Sequence, residues 1–383
     1  MTVWDELVGQ EKLVETLRRA VAGSSHAMTH AWLFTGPPGS GRSNAAKAFA
    51  AALQCQQGGC GVCNACVTAL SGAHPDVTLV RTEQLSIGVD EVRDLVRRAG
   101  ASPVVGRFQI VVVEDADRVT ERGADALLKS LEEPAPRTLW LLCAPTADDV
   151  IVTIRSRCRQ VRLLTPRPEA VASLLEGRDG VGPELAAFAA RVSQGHIGRA
   201  RALARDEGAR RRRHDILALP SRLRTLGDCL NAAEALVTDS KNAAEEATAK
   251  LDAKEQEKLQ QALGLDVKGV KPKGVQTAMK ELADHQKARL KRTQRDLLDQ
   301  VLTEFTSYFR DVLIVQTRAG APLLNDEFRE EIEQVASRGA PVHTLAALDA
   351  IVSSRQALDT NVAPLLVMET LLISLGRAAA GRV

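Results

Sequence analysis

An α/β domain with a parallel sheet, followed by an all-helical region, is what three features of the sequence predict. Over the first 165 residues, short apolar runs alternate with stretches of helical periodicity. Beyond residue 214 no run reads as a strand. Aromatics make up only 3% of the 383 residues while apolar residues reach 45%. Ala and Leu therefore supply most of any core, which favours helices.

Strands are expected at 31–35, 77–80, 108–113, 139–143 and 160–164, each a short apolar run. Helices are expected between them at 11–21, 43–53, 88–100 and 124–132. Strands alternating with helices imply a parallel sheet covered on both faces. Thr165-Pro166-Arg167-Pro168 is the first punctuation at which this domain could end. The predicted organisation is thus an α/β domain over 1–165, a small helical lid over 166–213 and a helical domain over 214–383.

Within the last part, 237–262 is rich in Ala, Glu, Lys and Gln, and 266–296 carries nine Lys plus Arg against four Asp plus Glu. The span 237–296, with the turn-like Gly269-Val270-Lys271-Pro272-Lys273-Gly274, reads as a solvated helical hairpin or a partly mobile insertion. A DNA or protein contact is the alternative. Helical periodicity resumes through Leu297, Val301, Phe305, Tyr308, Phe309 and Val312.

Fifty Lys plus Arg against 48 Asp plus Glu leave a net charge of +2, which excludes a wholly polybasic protein but not a local basic face. No 18-residue apolar run could span a membrane. The opening MTVWDELVGQ is acidic and interrupted, unlike a secretory leader, so a cytoplasmic location is expected.

Gly36-Pro37-Pro38-Gly39-Ser40-Gly41-Arg42-Ser43 follows the first strand and opens an alanine-rich helix. Apart from Arg42 this is the spacing of a phosphate-binding loop in its strand-to-helix context. Gly36, Gly39 and Gly41 let backbone N–H groups converge on phosphate oxygens, and the helix N-terminus adds partial positive charge. Ser43 stands where a hydroxyl ligates magnesium, so ATP or ADP with Mg²⁺ is the ligand class. Arg42 replaces a compact lysine with a broad planar fork. A hydrolase also needs a carboxylate pair at the end of a buried strand, and here Glu114-Asp115 has the reverse of the usual Asp-Glu order. Each head group is thereby displaced by about one methylene, and ~1 Å of misplacement can cost ~10²-fold in rate. Both departures predict weak hydrolysis or none.

Cys55, Cys60, Cys63 and Cys66 form C-x4-C-x2-C-x2-C, a spacing that can close a tetrahedral zinc shell. Structural zinc is expected ahead of an iron–sulfur cluster or free thiols, and four protein ligands leave no open position for catalysis. Cys143, Cys158 and Cys229 are scattered and read as small buried residues.

These landmarks fall in a fixed order with Trp4-Asp5 and Gly9-Gln10 before the loop. After it come Asp125-Ala126-Leu127-Leu128-Lys129-Ser130-Leu131-Glu132-Glu133-Pro134 and Ser156-Arg157-Cys158. Together they resemble the clamp-loader branch of the AAA+ ATPases, densely over residues 1 to about 205. A weaker likeness to the collar domain of bacterial loader subunits returns at 358–375 around Asn361-Val362-Ala363-Pro364. The resemblance implies a subunit of the DNA polymerase III holoenzyme, partnered with tau/gamma ATPase subunits and delta, and acting through the complex on the sliding clamp and primed DNA. The departures at Arg42, at Glu114-Asp115 and at Cys143-Ala144-Pro145-Thr146 favour the delta-prime type, a stator, over an ATP-hydrolysing motor subunit. The resemblance also assigns Arg157 as an arginine finger for a neighbouring ATPase site, and Arg199 as a second sensor arginine linking lid to nucleotide. The run 210–213, joining lid to collar, reads as solvated, with DNA contact as the alternative. Two rival readings are a motor subunit of the tau/gamma type and a zinc-dependent DNA-binding module with a vestigial loop.

Overall fold

The computed structural model describes residues 2–23, 27–82, 86–262, 275–360 and 362–382. The chain divides into two units, Met1–Asp206 and Glu207–Val383. The first holds five strands, β1 (Ala31–Thr35), β2 (Val77–Val80), β3 (Gln109–Val113), β4 (Thr138–Ala144) and β5 (Arg159–Arg162). They form one sheet in the order β2-β3-β4-β1-β5, and every pair is parallel. The fold class read from the sequence is the one observed.

Side-chain alternation explains why these strands are apolar throughout. Along β1, Trp32 and Phe34 enter one core layer and Ala31 and Leu33 the other. Along β4, Leu139, Leu141 and Cys143 join the first layer, and Trp140, Leu142 and Ala144 the second. Helices α1 (Glu11–Val21), α2 (Arg42–Gln54) and α3 (Asn64–Ser71) supply the first layer. Helices α4 (Val89–Ala99) and α5 (Glu121–Glu132) supply the second, with the short α6 (Val152–Arg155) beside α5. A sheet buried on both faces has no polar side to show. The edge strand β5 is the exception, with only Val161 buried. It ends two residues earlier than predicted, and the main chain of Leu164 is held instead by the Gln10 amide, at 2.7 and 3.0 Å.

Helices α7 (Pro168–Asp179), α8 (Pro183–Val192) and α9 (Ile197–Arg205) complete this unit. Asp179 ties the first to the last, accepting from Arg201 at 2.9 Å and Arg205 at 2.7 Å.

The second unit contains α10 (Glu207–Arg222), α11 (Leu226–Ala262), α12 (Val275–Thr317), α13 (Arg329–Arg338), α14 (Pro341–Leu358) and α15 (Pro364–Ala379), and no strand among the described residues. Leu298, Phe305, Phe309, Met368 and Leu372 centre its core. The arginine run at 210–213 is not simply solvated. Arg213 is 5% exposed, pairs with Glu304 and Glu327, and donates to Asn325. Burying that charge is tolerable only because it is paired and hydrogen-bonded.

The far parts of α11 and α12 pair with each other through polar contacts. Arg289 meets Asp252 at 2.6 Å and Glu255 at 2.8 Å, and Gln286 meets Gln256 at 2.9 Å. The basic half of the 237–296 span is thus partly neutralised by its acidic half. Its turn-like 269–274 and Asn361 lie outside the described residues.

Candidate functional site

Strand β1 ends at Thr35 and α2 starts at Arg42, so residues 36–41 form the loop between them. Gly39 and Gly41 have φ of 80° and 92°, a left-handed conformation that glycine adopts without strain. A side chain at Gly39 would also collide with His196, just before α9, since its Cβ would lie 2.1 Å from Cγ of that residue. His196 caps α9, its Nδ1 accepting from the backbone N of Arg199 at 3.2 Å. Burial against the loop and the nearby Arg199 charge push its imidazole pKa down. Ser40 Oγ is buried in the loop with no hydrogen-bond partner among the described residues, an orphan that a bound anion could satisfy.

Arg42 turns onto its own loop, Nη1 donating to the Gly36 carbonyl at 2.6 Å. Burial lowers its pKa, opposed by the charges of Asp117, Asp115 and Asp149. Glu114 and Asp115 follow β3, which lies two strands from β1 with β4 between. Cys143, near the end of β4, therefore sits between the loop and the carboxylates. Its burial, with the Glu114 charge close by, drives its thiol pKa far up, so it is a neutral S–H. The structure thus brings Arg42, Glu114, Asp115 and Cys143 together. It adds a residue that sequence reasoning missed: Lys47 Nζ lies 2.5 Å from Glu114 Oε1, with both side chains largely buried. The signal was available, because Lys47 stands four residues after Ser43 and so on the same face of α2.

The cysteines converge. Cys55 follows the last residue of α2 and Cys66 lies in α3, and all four Sγ atoms fall within 4.8 Å of one another. Cys55 lies 3.7 Å from both Cys60 and Cys63. Thiolates ~2.3 Å from a tetrahedral zinc stand about 3.8 Å apart, so the donor set fits that metal. Burial pushes the Cys55 thiol up, but backbone N–H groups of Cys60, Gly59 and Gln57 outweigh it and bring its pKa to about 6. Cys60 is likewise lowered, by the N–H groups of Val62 and Cys63, while burial raises Cys66. The cluster can hold a metal ion. Cys143, Cys158 and Cys229 are buried, as expected of bystanders.

Arg157 lies apart from the loop, two residues beyond α6, with its side chain 35% exposed. Its Nε donates to Glu132 at 2.8 Å and its Nη1 to the Thr153 carbonyl at 2.7 Å. Arg199 stands in the first turn of α9, beside His196.

Residues 9–167 match the family described as DNA polymerase III, delta subunit. The delta' subunit of Escherichia coli (strain K12) is 36% identical over 200 residues, 50% of this chain and 58% of that one. The delta' subunit of Pseudomonas aeruginosa is 40% identical over 151 residues, 38% of this chain and 45% of that one. The gamma/tau subunit of Mycobacterium tuberculosis (strain H37Rv) is 38% identical over 169 residues, covering 42% of this chain but 29% of that one. The chain therefore spans well under two thirds of the length of these relatives. A solved gamma subunit-related protein from Thermotoga maritima aligns over 96% of the chain at 16% identity with a TM-score of 0.43. The family match and the delta' relatives bear out the clamp-loader resemblance.

Proposed function

We propose that this chain, similar over residues 9–167 to the family described as DNA polymerase III, delta subunit, and to delta' subunits, is a delta-prime-type clamp-loader stator that lends Arg157 to a neighbouring ATPase subunit and hydrolyses no ATP itself. The observation that carries this reading is the Lys47–Glu114 pair at 2.5 Å. In a hydrolysing site the strand-end carboxylate acts on a metal-bound water. Here an ammonium of the same chain already neutralises it. The reversed Glu114-Asp115 order and the neutral Cys143 point the same way. The loop itself suits phosphate oxygens, through its backbone N–H groups, the orphaned Ser40 hydroxyl and Arg42. The carboxylate side does not suit magnesium-assisted hydrolysis, because Lys47 already holds Glu114.

In the proposed arrangement the lid spans about 166–213, and the helices from 214 form a collar that assembles with tau/gamma and delta subunits. The ring loads the sliding clamp onto primed DNA. Arg157 places a fixed positive charge at the neighbour's transferring phosphoryl group, an effect worth ~10³ to 10⁵ in rate for arginine fingers generally. Zinc held by Cys55, Cys60, Cys63 and Cys66 fixes the loop after α2, where a closed four-thiolate shell has a structural role. Arg199, beside His196, links the lid to the loop.

The likeness to gamma/tau subunits supports one other reading, a motor subunit in which Arg42 substitutes for lysine. ATP turnover by the isolated full-length chain separates the two. The stator reading expects none above background, with co-purification in a fixed ratio with the other loader subunits. Robust turnover would establish the motor reading instead.

A further inference from the structure

We infer that Glu132 is a positioning residue for Arg157, holding its guanidinium in the orientation in which a neighbouring chain's phosphoryl group meets it. This rests on the stator reading above. Glu132 is the last residue of α5, and Arg157 lies 25 residues further along the chain. Arg157 Nε donates to Glu132 Oε1 at 2.8 Å, and Nη2 pairs with the same carboxylate oxygen. On the other side, Nη1 donates to the Thr153 carbonyl at 2.7 Å and to Ser156 Oγ at 3.2 Å. The planar fork is therefore held on both sides. A guanidinium has five N–H donors, and these contacts engage four, leaving one for a partner.

The backbone carrying each partner is pinned. Leu127 and Leu131 bury α5 against the sheet, and Thr120 caps its start by accepting from the Gly123 N–H at 3.2 Å. Pro134 follows closely on its end. Arg157 stands between the buried Ile154 and Cys158. Neither backbone can swing far, so the Glu132–Arg157 geometry belongs to the fold.

Stability does not explain the pair. The two side chains are 50% and 35% exposed, and ion pairs this open contribute little to folding. Orientation is where the contact has leverage. A long flexible arginine must otherwise be ordered when the subunits meet, and ~1 Å of misplacement can cost ~10² in rate. Sequence reasoning could not see the contact, because nothing in the run Leu131-Glu132-Glu133-Pro134 marks which glutamate faces Ser156-Arg157-Cys158.

The test is DNA-stimulated ATP turnover by the loader assembled with the full chain, comparing wild type, Glu132→Ala, Glu132→Gln, Arg157→Ala and Glu132→Ala/Arg157→Ala. Assembly ratio and melting temperature are checked for each. Glu132→Ala is expected to lower kcat at the neighbouring site by about tenfold or more with KM for ATP unchanged. Glu132→Gln, which keeps an acceptor oxygen on the Nε edge, is expected to recover most of the loss. Adding Glu132→Ala to Arg157→Ala should cost nothing further. Unchanged turnover in Glu132→Ala beside a slow Arg157→Ala overturns this inference alone. Faster turnover in Glu132→Ala also overturns it, because Glu132 would then restrain the arginine. If Arg157→Ala is itself at wild-type turnover, the stator reading fails and the inference falls with it.

Discussion

Two regions of the α/β unit are built around arginines, and they treat that side chain in opposite ways. At the loop between β1 and α2, Arg42 is turned inward onto the Gly36 carbonyl, within the field of Asp115, Asp117 and Asp149. Lys47 beside it neutralises Glu114. The charges of this region are matched inside the chain. At the Ser156-Arg157-Cys158 edge, Arg157 is braced by Glu132 and Thr153 yet stays partly open to solvent. One region has closed in on itself, and the other presents a positive fork to whatever stands next to it. Under the proposed function, this difference is what would separate a stator from a motor.

The largest expected effect on stability comes from the cysteine cluster after α2. Cys60→Ser should weaken zinc binding by at least about 10²-fold, and zinc content by elemental analysis reads it directly. At 1.4 kcal/mol per decade, that is about 2.8 kcal/mol of folded-state stability, visible in the melting temperature with and without chelator. If both are unchanged, the four thiols hold no metal. Next in size is Arg42→Lys in the isolated chain. It restores the compact charge but leaves Glu114-Asp115 reversed and Lys47 in place. Turnover should stay at least about 10²-fold below that of a motor subunit. Recovery to a motor's rate would collapse the contrast to a single side chain.

The smallest effect concerns the contact of His196 with the loop at Gly39. The His196 pKa is lowered in the folded protein. A lowered imidazole stabilises the fold fully above its unfolded pKa of about 6.5, and that contribution is lost as pH falls through the folded value. The difference in melting temperature between wild type and His196→Ala should therefore shrink between pH 8 and pH 5, while Arg157 variants keep a constant offset. A constant His196 difference would remove the pH-sensitive contact from the loop side.

Much of this was legible in the sequence. The strands stood out because β1, β3 and β4 are buried on both faces and so are apolar throughout. The loop stood out because its spacing cannot be met without glycine. Strand ends shifted where side chains take over the backbone. β3 begins at Gln109 because the Gln54 amide captures the Phe108 carbonyl at 2.6 Å. What was not legible were contacts between distant residues. Arg213 looked like one more solvated arginine, since its partners Glu304 and Glu327 lie about a hundred residues on. The basic stretch ending at 296 read as part of a solvated hairpin, and nothing in the sequence marks Asp252 and Glu255 as the partners of Arg289. Lys47, His196 and Glu132 act only through partners brought near by the fold.

The most direct measurement of the central claim is ATP turnover by the assembled loader on primed DNA with Arg157→Ala in this chain. The account predicts an intact assembly in which hydrolysis at the adjoining site falls by ~10³-fold or more. Wild-type turnover at that site, from an equally intact assembly, would contradict it.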